Sequence, residues 1–336
     1  MNRKDIGKLF ILLTIVSMFL LTSCRGNVES SGTQQPLSSH HEELQTDTVG
    51  YVEHGPAKTN LDEKGTPLPY EYNGNEFVLD YSVRMGGAAE YMGFLLFVNG
   101  KPQKFTLTNE AVQYCNYIKL EENKENYDLK LKFSPTVGKK DDTLLCSVVS
   151  IFNAKFKPDM VETLGYGINQ SAWAVQFPIH YNVNADISED TYLNDLISGV
   201  QQEKKKLRQS EIEDIFDMKI EEMQDRSVYS GMLMDSQRKY DSYDISRLKK
   251  TNIKYGLIGK YDTAYRVTFY LDNIPIHSTK MQVEKNKISW LNVSMNVKNI
   301  DENTSFYAIA VPASYNTIAD REQSVEKTPS ILLYCR

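Results

Sequence analysis

The sequence predicts a mainly β fold made of antiparallel sandwiches. Three observations support this prediction: many short strand-like runs are separated by turn residues, most runs alternate apolar and polar side chains, and only one interval has helical periodicity. The composition agrees, because 21 tyrosines stand against two tryptophans and tyrosine is enriched in strands. A chain of 336 residues exceeds what one small core organises, so we expect two domains.

Strand signals in the first half begin near residue 77. The run NEFVLDYSV alternates, and MGFLLFV is followed by Asn99-Gly100, a pair that tolerates the positive φ angles of a type I′ hairpin turn. The run YDLKLKF places apolar side chains on one face and lysines on the other. TLLCSVVSIF is typical of a buried strand, and SAWAVQFPIHYNV supplies one or two more. These runs predict the first sandwich over residues 66–186.

The interval that follows has a helical pattern. Its apolar residues recur at i, i+3, i+4 and i+7, namely Leu193, Leu196, Ile197 and Val200. The sequence Ser-Glu-Ile-Glu from Ser210 is typical of a second helix start, because the serine and the last glutamate can form a capping box. We therefore expect a helical connector over residues 187–227, interrupted near Ser210.

After the connector, strand-like runs resume and their order repeats that of the first half. LLFVNGKPQ (95–103) aligns with VTFYLDNIPI (267–276), DLKLKF (128–133) with WLNVSM (290–295), and TLLCSVV (143–149) with SFYAIAV (305–311). The first alignment sets Asn99-Gly100 on Asp272-Asn273 and Pro102 on Pro275. Identity is low, so a chance match is the alternative. We interpret the pattern as a duplicated β-domain, with the second sandwich over residues 228–336.

In the length and spacing of its strand-like runs, each half resembles an immunoglobulin-like sandwich. The resemblance implies two immunoglobulin-like antiparallel β-sandwich domains joined by the helical connector. The Cys…Trp…Cys signature of antibody domains is absent, since neither Trp173 nor Trp290 lies between paired cysteines. The resemblance therefore concerns architecture and indicates no specific family.

The first 24 residues have the three zones of a secretory leader. Arg3, Lys4 and Lys8 precede an apolar run of about 13 residues that ends at Leu21, and small residues follow it. Such a run is shorter than the roughly 20 residues that cross a bilayer as a helix, but it suits the apolar region of a signal peptide. We expect residues 1–23 to be a cleaved signal peptide; an uncleaved membrane helix is the alternative.

The end of this leader, Leu21-Thr22-Ser23-Cys24, resembles the lipobox of bacterial lipoproteins. The resemblance implies cleavage between Ser23 and Cys24 and attachment of a diacylglyceryl group to the Cys24 sulfur. Two or more acyl chains hold a protein stably on a membrane. An ordinary signal peptide with an incidental Cys24 is the alternative. The pattern favours an extracytoplasmic protein that a lipid on Cys24 anchors to the cell membrane.

Residues 24–65 are rich in Ser, Gly, Thr, Gln, Glu and Pro and have almost no apolar periodicity. Such a composition is typical of a flexible, disordered tether. The formal net charge of the whole chain is −6, and removal of the leader makes it more negative by two charges. This balance argues against nucleic acid as a partner, because binding to it needs a basic surface.

No motif of a catalytic or metal centre is visible. His40-His41-Glu42-Glu43 lies in the predicted tether and differs from H-E-x-x-H, and the acidic residues of 186–195 lack the spacing of an EF-hand loop. The G-x-S-x-G motif is missing. We therefore predict no catalytic residue, no metal ligand and no cofactor.

Three cysteines remain beside Cys24, an odd number for a disulfide framework. Cys146 and Cys335 lie in apolar, strand-like runs, where a free cysteine behaves as a small buried hydrophobe. A Cys115–Cys146 bridge is the alternative in an oxidising compartment. We favour the interpretation that these three cysteines are unpaired and unreactive.

Two classes of function remain open. The first is a non-catalytic binding or spacer module that recognises an extracellular protein or glycan. The second is an extracytoplasmic hydrolase that acts on a cell-envelope polymer with an unrecognised site. Catalysis usually leaves a cluster of histidine, carboxylate or nucleophile in the loops, and the sequence has none, which favours the first class.

Replacing Cys24 with alanine tests the anchor. Without the thiol no thioether to lipid can form, so we expect the Cys24→Ala protein to move from the membrane fraction to the medium or the soluble fraction. Fractionation followed by immunoblotting measures this, with Cys335→Ala as the control that stays on the membrane. A Cys24→Ala protein that remains as membrane-bound as the wild type would contradict the lipoprotein interpretation.

Overall fold

The computed structural model describes residues 51–87, 89–107, 111–121, 124–157, 170–187, 196–216, 219–220, 223, 228–237, 241–300, 303–315 and 324–335. In these residues, 19 strands and one helix are present, which confirms the mainly β class. All of them belong to one compact unit, Asp47–Arg336. The predicted signal peptide, Ser23, Cys24 and the predicted tether up to residue 50 lie outside the described residues.

Nine strands form the first sandwich. They are β1 (Tyr51–Pro56), β2 (Tyr70–Tyr72), β3 (Phe77–Gly86), β4 (Tyr91–Val98), β5 (Lys101–Gln103), β6 (Cys115–Lys119), β7 (Asn126–Phe133), β8 (Thr143–Ile151) and β9 (Ala172–Tyr181). One sheet has the order β1-β3-β7; the other has the order β2-β9-β8-β4-β5, with β6 paired to β4. In β3, buried residues alternate with more exposed ones, so one face enters the core between the sheets.

The second sandwich contains ten strands and the helix. They are β10 (Ile197–Lys206), α1 (Gln209–Phe216), β11 (Val228–Met234), β12 (Ser242–Asp244), β13 (Lys250–Gly259), β14 (Thr263–Leu271), β15 (Ile274–Val283), β16 (Lys287–Asn296), β17 (Thr304–Pro312), β18 (Glu326–Lys327) and β19 (Ile331–Tyr334). One sheet has the order β10-β16-β13-β11; the other has the order β12-β19-β17-β14-β15, with β18 paired to β17.

The two sandwiches share one topology. The order β1-β3-β7 corresponds to β11-β13-β16, and the order β2-β9-β8-β4-β5 corresponds to β12-β19-β17-β14-β15. Even the parallel pair of β2 with β9 recurs as the parallel pair of β12 with β19. This repeated order supports the predicted duplication.

The two predicted hairpins adopt the same turn. Asn99 and Gly100 have φ angles of 44° and 74°, and Asp272 and Asn273 have 45° and 66°, as a type I′ turn requires. In each copy the first turn residue accepts a hydrogen bond from the facing strand: the Leu145 N–H donates to Asn99 Oδ1 at 2.8 Å. The equivalent bond joins the N–H of Ser305 to Asp272 Oδ1 at 2.8 Å.

This shared bond corrects one part of the sequence alignment. Leu145 is equivalent to Ser305, whereas the alignment of 143–149 with 305–311 sets Leu145 on Tyr307. The error is a slip of two residues. Because side chains alternate with a period of two, such a slip leaves every residue on its correct face, so the apolar pattern cannot reveal it.

The prediction of a helix around residue 197 is wrong. Ile197–Lys206 is strand β10, which pairs antiparallel with β16 from Met295 to Lys287. Gly199, with φ of 65°, lies at a bulge that leaves Val200 exposed. The tertiary ladder with β16 overrides the local helical spacing. A helix does begin near Ser210, because α1 starts at Gln209. The predicted capping box is wrong, since the Arg208 carbonyl accepts the first bonds, from the Glu211 and Ile212 N–H groups, and Ser210 lies inside the helix.

The predicted tether ends earlier than residue 65. Strand β1 pairs with β3 along its whole length, from Tyr51↔Gly86 to Pro56↔Tyr81. The first sandwich therefore begins near residue 51 rather than 66. Only Val52 and His54 of β1 carry larger side chains toward the core, which is too few to give a periodic signal in the sequence.

Helix α1 packs on the outer face of the β11-β13-β16 sheet. Its Ile212 and Ile215 join a cluster with four strand residues, Leu233, Ile258, Ile288 and Trp290. Gly231 permits this contact, since a Cβ there would lie 2.8 Å from Ile215 Cγ1 and 2.9 Å from its carbonyl oxygen. The helix thus covers part of one outer face of the second sandwich.

The two sandwiches pack face to face through equivalent sheets. The buried cluster between them contains Leu95, Phe97, Cys115, Val149, Ile151 and Ala154 from the first sandwich, and Tyr270, Tyr307, Ile309 and Val311 from the second. Asn273 adds polar contacts, because its Nδ2 donates to the Tyr117 hydroxyl at 3.0 Å and to the Ala154 carbonyl at 3.0 Å. Lys157 pairs with Asp272 at 2.7 Å. This interface joins the two sandwiches into one body.

Replacing Phe97 with alanine tests the interface. The ring is fully buried between the sandwiches, so we expect its loss to lower the free energy of unfolding by about 3 to 5 kcal/mol. Urea unfolding measures this. The control is Val78→Ala, since Val78 is 50% exposed and its truncation should cost less than about 0.5 kcal/mol. Equal effects of the two changes would contradict the assigned packing.

Candidate functional site

One sheet face remains open in the described part of the chain. Helix α1 packs on part of the outer face of β11-β13-β16, and the two six-stranded sheets pack against each other. No described helix or sheet packs on the outer face of β1-β3-β7. We call this surface the open face and consider it the candidate site.

A shallow trough crosses the open face. Its cavity has a volume of about 340 Å³, and its outward residues are Glu53, Gly55, Ser82, Arg84, Asn126 and Asp128. They form two rows across the strands, because Gly55 faces Ser82 and Ser82 faces Asp128, while Glu53 faces Arg84 and Arg84 faces Asn126. The row of Gly55, Ser82 and Asp128 forms the floor, because Gly55 has no side chain and that of Ser82 is small. The row of Glu53, Arg84 and Asn126 has longer side chains and forms one wall.

Negative charge prevails around the trough, because Glu53, Glu125 and Asp128 stand against Arg84. The Arg84 guanidinium lies 3.9 Å from Glu53 and 3.5 Å from Glu125, and it stacks over the Tyr51 ring at 5.6 Å. Asp128 differs, because it is exposed and forms no hydrogen bond or ion pair with the described residues. The trough therefore offers a carboxylate, an amide, a hydroxyl and a neutralised guanidinium to a ligand.

His54 borders the trough but points into the core. Its Nδ1 and the Tyr81 hydroxyl form a hydrogen bond of 2.6 Å, and its Nε2 lies 3.1 Å from Ser150 Oγ. Ser150 donates in turn to the Trp173 carbonyl at 3.2 Å. Burial lowers the pKa of His54 to about 4. The expectation that His54 lies in a flexible tether is therefore wrong.

This histidine and serine do not form a hydrolytic pair. Ser150 is 1% exposed, so no polymer can reach its hydroxyl, and no carboxylate accepts a hydrogen bond from the imidazole in the described contacts. Both ring nitrogens have partners inside the sandwich. The cluster satisfies buried polar groups rather than activating a nucleophile.

The cysteines are unpaired, in agreement with the favoured interpretation. Cys115, Cys146 and Cys335 are all free. Cys146 lies in the core of the first sandwich, whereas Cys115 lies in the interface on the opposite face of the same sheet. Burial raises the pKa of Cys115 to about 12, which keeps this thiol protonated and unreactive.

The described residues contain no group of three or more His, Cys, Asp or Glu side chains that could hold a metal ion. His40-His41-Glu42-Glu43 and most of the acidic run at 186–195 lie outside them. Within the same part of the chain, no helix combines the length and the apolar character needed to cross a membrane.

Sequence reasoning did not identify the trough. The alternation in YDLKLKF correctly predicted which side of β7 faces outward, but every exposed strand face has the same alternation. Which outer face stays uncovered depends on contacts between distant segments. The pairing of β1 with β3, which supplies Glu53 and Gly55, was hidden by the polar composition around it.

No protein-family model and no curated protein sequence matches the chain. Among solved structures it is similar to the crystal structure of CBD12 from CALX1.2, with 10% identity over 80% of this chain and 97% of that chain and a TM-score of 0.21. It is also similar to BspA_C_WT, with 9% identity, 82% and 99% coverage and a TM-score of 0.19. The CupB6 tip adhesin from Pseudomonas aeruginosa gives 6% identity, 85% and 99% coverage and a TM-score of 0.17. Likenesses at this level carry no argument about function.

His54 makes the stability of the protein depend on pH. Its ordinary pKa is about 6.5 and its folded pKa about 4, so between these values the unfolded chain binds more protons. The contribution of His54 to the free energy of unfolding is fully present above pH 6.5 and decreases as the pH falls toward 4. We expect a loss of about 2 to 3 kcal/mol between pH 7.5 and 4.5.

Urea unfolding at the two pH values measures this loss. The comparison is His54→Gln, which retains a polar side chain but cannot titrate, and its pH dependence should be weaker by that amount. An unchanged pH dependence in His54→Gln would show that the buried imidazole is not the cause.

Proposed function

We propose that this protein is a lipid-anchored bacterial cell-surface protein that binds a glycan through its open face without catalysing a reaction. The observation that carries the proposal is the layered packing, in which the outer face of β1-β3-β7, the one that contains the trough, has no helix or sheet packed on it among the described residues. The proposed anchor is Cys24, on which the lipobox pattern supports acylation. The open face would then be displayed outside the cytoplasmic membrane.

The chemistry of the trough favours a neutral, hydroxyl-rich ligand. Asp128 and Glu53 would repel an anionic polymer, while Arg84 is already neutralised by two glutamates. Sugar hydroxyls both donate and accept hydrogen bonds, so they can satisfy the carboxylate, amide and hydroxyl groups that line the floor. The trough is shallow and polar, unlike the enclosed and mostly apolar pockets of small-molecule sites.

The alternative, a hydrolase of a cell-envelope polymer, receives no support from the described residues. A glycosidase needs two carboxyl groups that flank the bond to be cleaved. In the trough, Asp128 stands without a second unpaired carboxylate, because Glu53 neighbours Arg84. Binding without turnover is therefore the function that this arrangement supports best.

Asp128→Asn tests the glycan site. Asp128 supplies the unpaired carboxylate of the floor, and a hydrogen bond to a charged group contributes about 1.5 to 3 kcal/mol. We therefore expect the apparent affinity of the full chain for a neutral polysaccharide to fall by about tenfold to a hundredfold. Binding to an array of neutral and acidic polysaccharides, with release of reducing sugar measured in parallel, provides the readout.

The matched control is Asp214→Asn on helix α1. Asp214 is exposed and lies on the opposite side of the layered stack, so this change should leave binding intact. Release of reducing sugar by the wild-type protein would overturn the non-catalytic assignment. Failure to bind any neutral polysaccharide, or binding that Asp128→Asn does not weaken, would overturn the glycan site.

A further inference from the structure

Strand β9 has a neighbour on only one side along most of its length. Residues Ala172–His180 pair with β8, whereas β2 pairs only with Ile179–Tyr181 on the other side. In the part of the chain that the structure describes, no strand or isolated bridge occupies the other side of residues 172–178. We call this unpaired side the β9 edge.

The even-numbered residues of β9 direct their main-chain groups toward the β9 edge. In an antiparallel ladder, residues that bond to the neighbour alternate with residues whose N–H and C=O point away. The Phe152 N–H donates to the Ser171 carbonyl at 2.9 Å, and the Tyr181 N–H donates to the Asp142 carbonyl at 2.9 Å, so odd-numbered residues bond to β8. Pro178, which has no N–H, occupies an even position, as this assignment requires.

Ala172, Ala174 and Gln176 therefore each present one donor and one acceptor along the β9 edge. The groups have the regular spacing of a strand ladder. Only an extended polypeptide backbone matches such an array with several hydrogen bonds at once. The hydrogen-bonding groups of the β9 edge therefore match an extended polypeptide segment.

The chain itself turns away from this position. Tyr70 of β2 faces Ile179, so an extension of β2 toward the N-terminus would place residues 63–69 along the β9 edge. Instead, Asp62 Oδ1 accepts hydrogen bonds from the Lys64 and Thr66 N–H groups at 2.8 Å and holds a turn. Pro67 and Pro69 follow, and neither can donate to a ladder.

Three other edge strands carry features that hinder strand addition, and a fourth, β11, has no such feature but is almost entirely buried. Strand β10 ends in Lys204–Lys206 and has a bulge, and β7 presents Lys130 and Lys132. Strand β15 contains Pro275. Lysine, proline and bulges are the usual protection of exposed edges. The segment 172–177 has no charge and no proline, so it lacks this protection.

From these observations we propose that the β9 edge accepts a β-strand from an extended segment of another protein. Trp173 lies beside the edge and is 61% exposed, whereas Trp290 is 1% exposed. An exposed tryptophan next to free ladder groups supplies an apolar contact for a side chain of the incoming strand. This site is separate from the trough and does not depend on the glycan proposal.

The test uses the full chain and a defined probe. The probe is a dye-labelled seven-residue peptide of alternating threonine and valine, flanked by lysines, and its control is the same peptide methylated on alternate backbone nitrogens. We expect binding of the unmethylated peptide, with a blue shift of Trp173 fluorescence, and at least tenfold weaker binding of the methylated one. Hydrogen exchange should show fast amides at Ala172, Ala174 and Gln176 in the free protein and their protection in the complex.

Two variants locate the binding. Ala174→Pro removes an outward N–H at an even position, as Pro178 does naturally, and should weaken peptide binding at least tenfold. If that variant fails to fold, Trp173→Lys places a charge at the edge and should have the same effect. Val78→Lys, the matched change on the open face, should leave binding unaltered.

Three outcomes would overturn the proposal. The first is protection of the even-numbered amides in the free protein, which would mean that the chain covers its own edge. The second is peptide binding that neither Ala174→Pro nor Trp173→Lys weakens. The third is dimerisation through this edge in sedimentation, which would assign the edge to a second copy of the chain.

Discussion

The burial of two equivalent sheet faces against each other is the constraint on which the rest of this structure depends. Phe97 of β4 and Tyr270 of β14 hold corresponding places in the two copies, and both are fully buried in the same cluster. Each face would otherwise expose a large apolar surface to water, which isolated domains rarely tolerate. The duplicated sandwich is therefore stable as a pair, and the pairing decides which surfaces remain for binding.

The repeated hairpin turns take part in this packing. A Cβ at Gly100 would lie 2.7 Å from Arg266 Cβ and 3.0 Å from the Val311 carbonyl, so glycine serves both the turn and the contact. In the other copy Asn273 reaches Tyr117 and Ala154. Both sandwiches thus place the same hairpin turn in the interface. The turn at Gly100 allows a close approach of the backbone, whereas the turn at Asn273 forms hydrogen bonds.

Several polar groups inside the interface form hydrogen bonds. Gln170 Nε2 donates to the Phe156 carbonyl at 3.3 Å, and its Oε1 accepts from Ser305 at 3.3 Å. The Lys327 amine donates to Ser330 Oγ at 2.8 Å and lies 4.4 Å from the Tyr307 ring centroid, and burial lowers the pKa of this amine to about 7. Such directional bonds favour one relative orientation of the sandwiches, because other arrangements would leave buried polar groups without partners.

The sequence alone determined the mainly β class, the Asn99-Gly100 hairpin, the repeated order of strands and the start of α1 near Ser210, because turn chemistry and alternation are local. The lipobox at Cys24 is also a local pattern, and it remains a prediction. Tertiary structure decided that residues 197–206 form a strand, that β1 belongs to the first sandwich, and that Leu145 is equivalent to Ser305. It also decided which face and which edge stay uncovered. These features depend on ladders and contacts between segments far apart in the chain, and a local pattern with a period of two or of 3.6 residues contains no information about them.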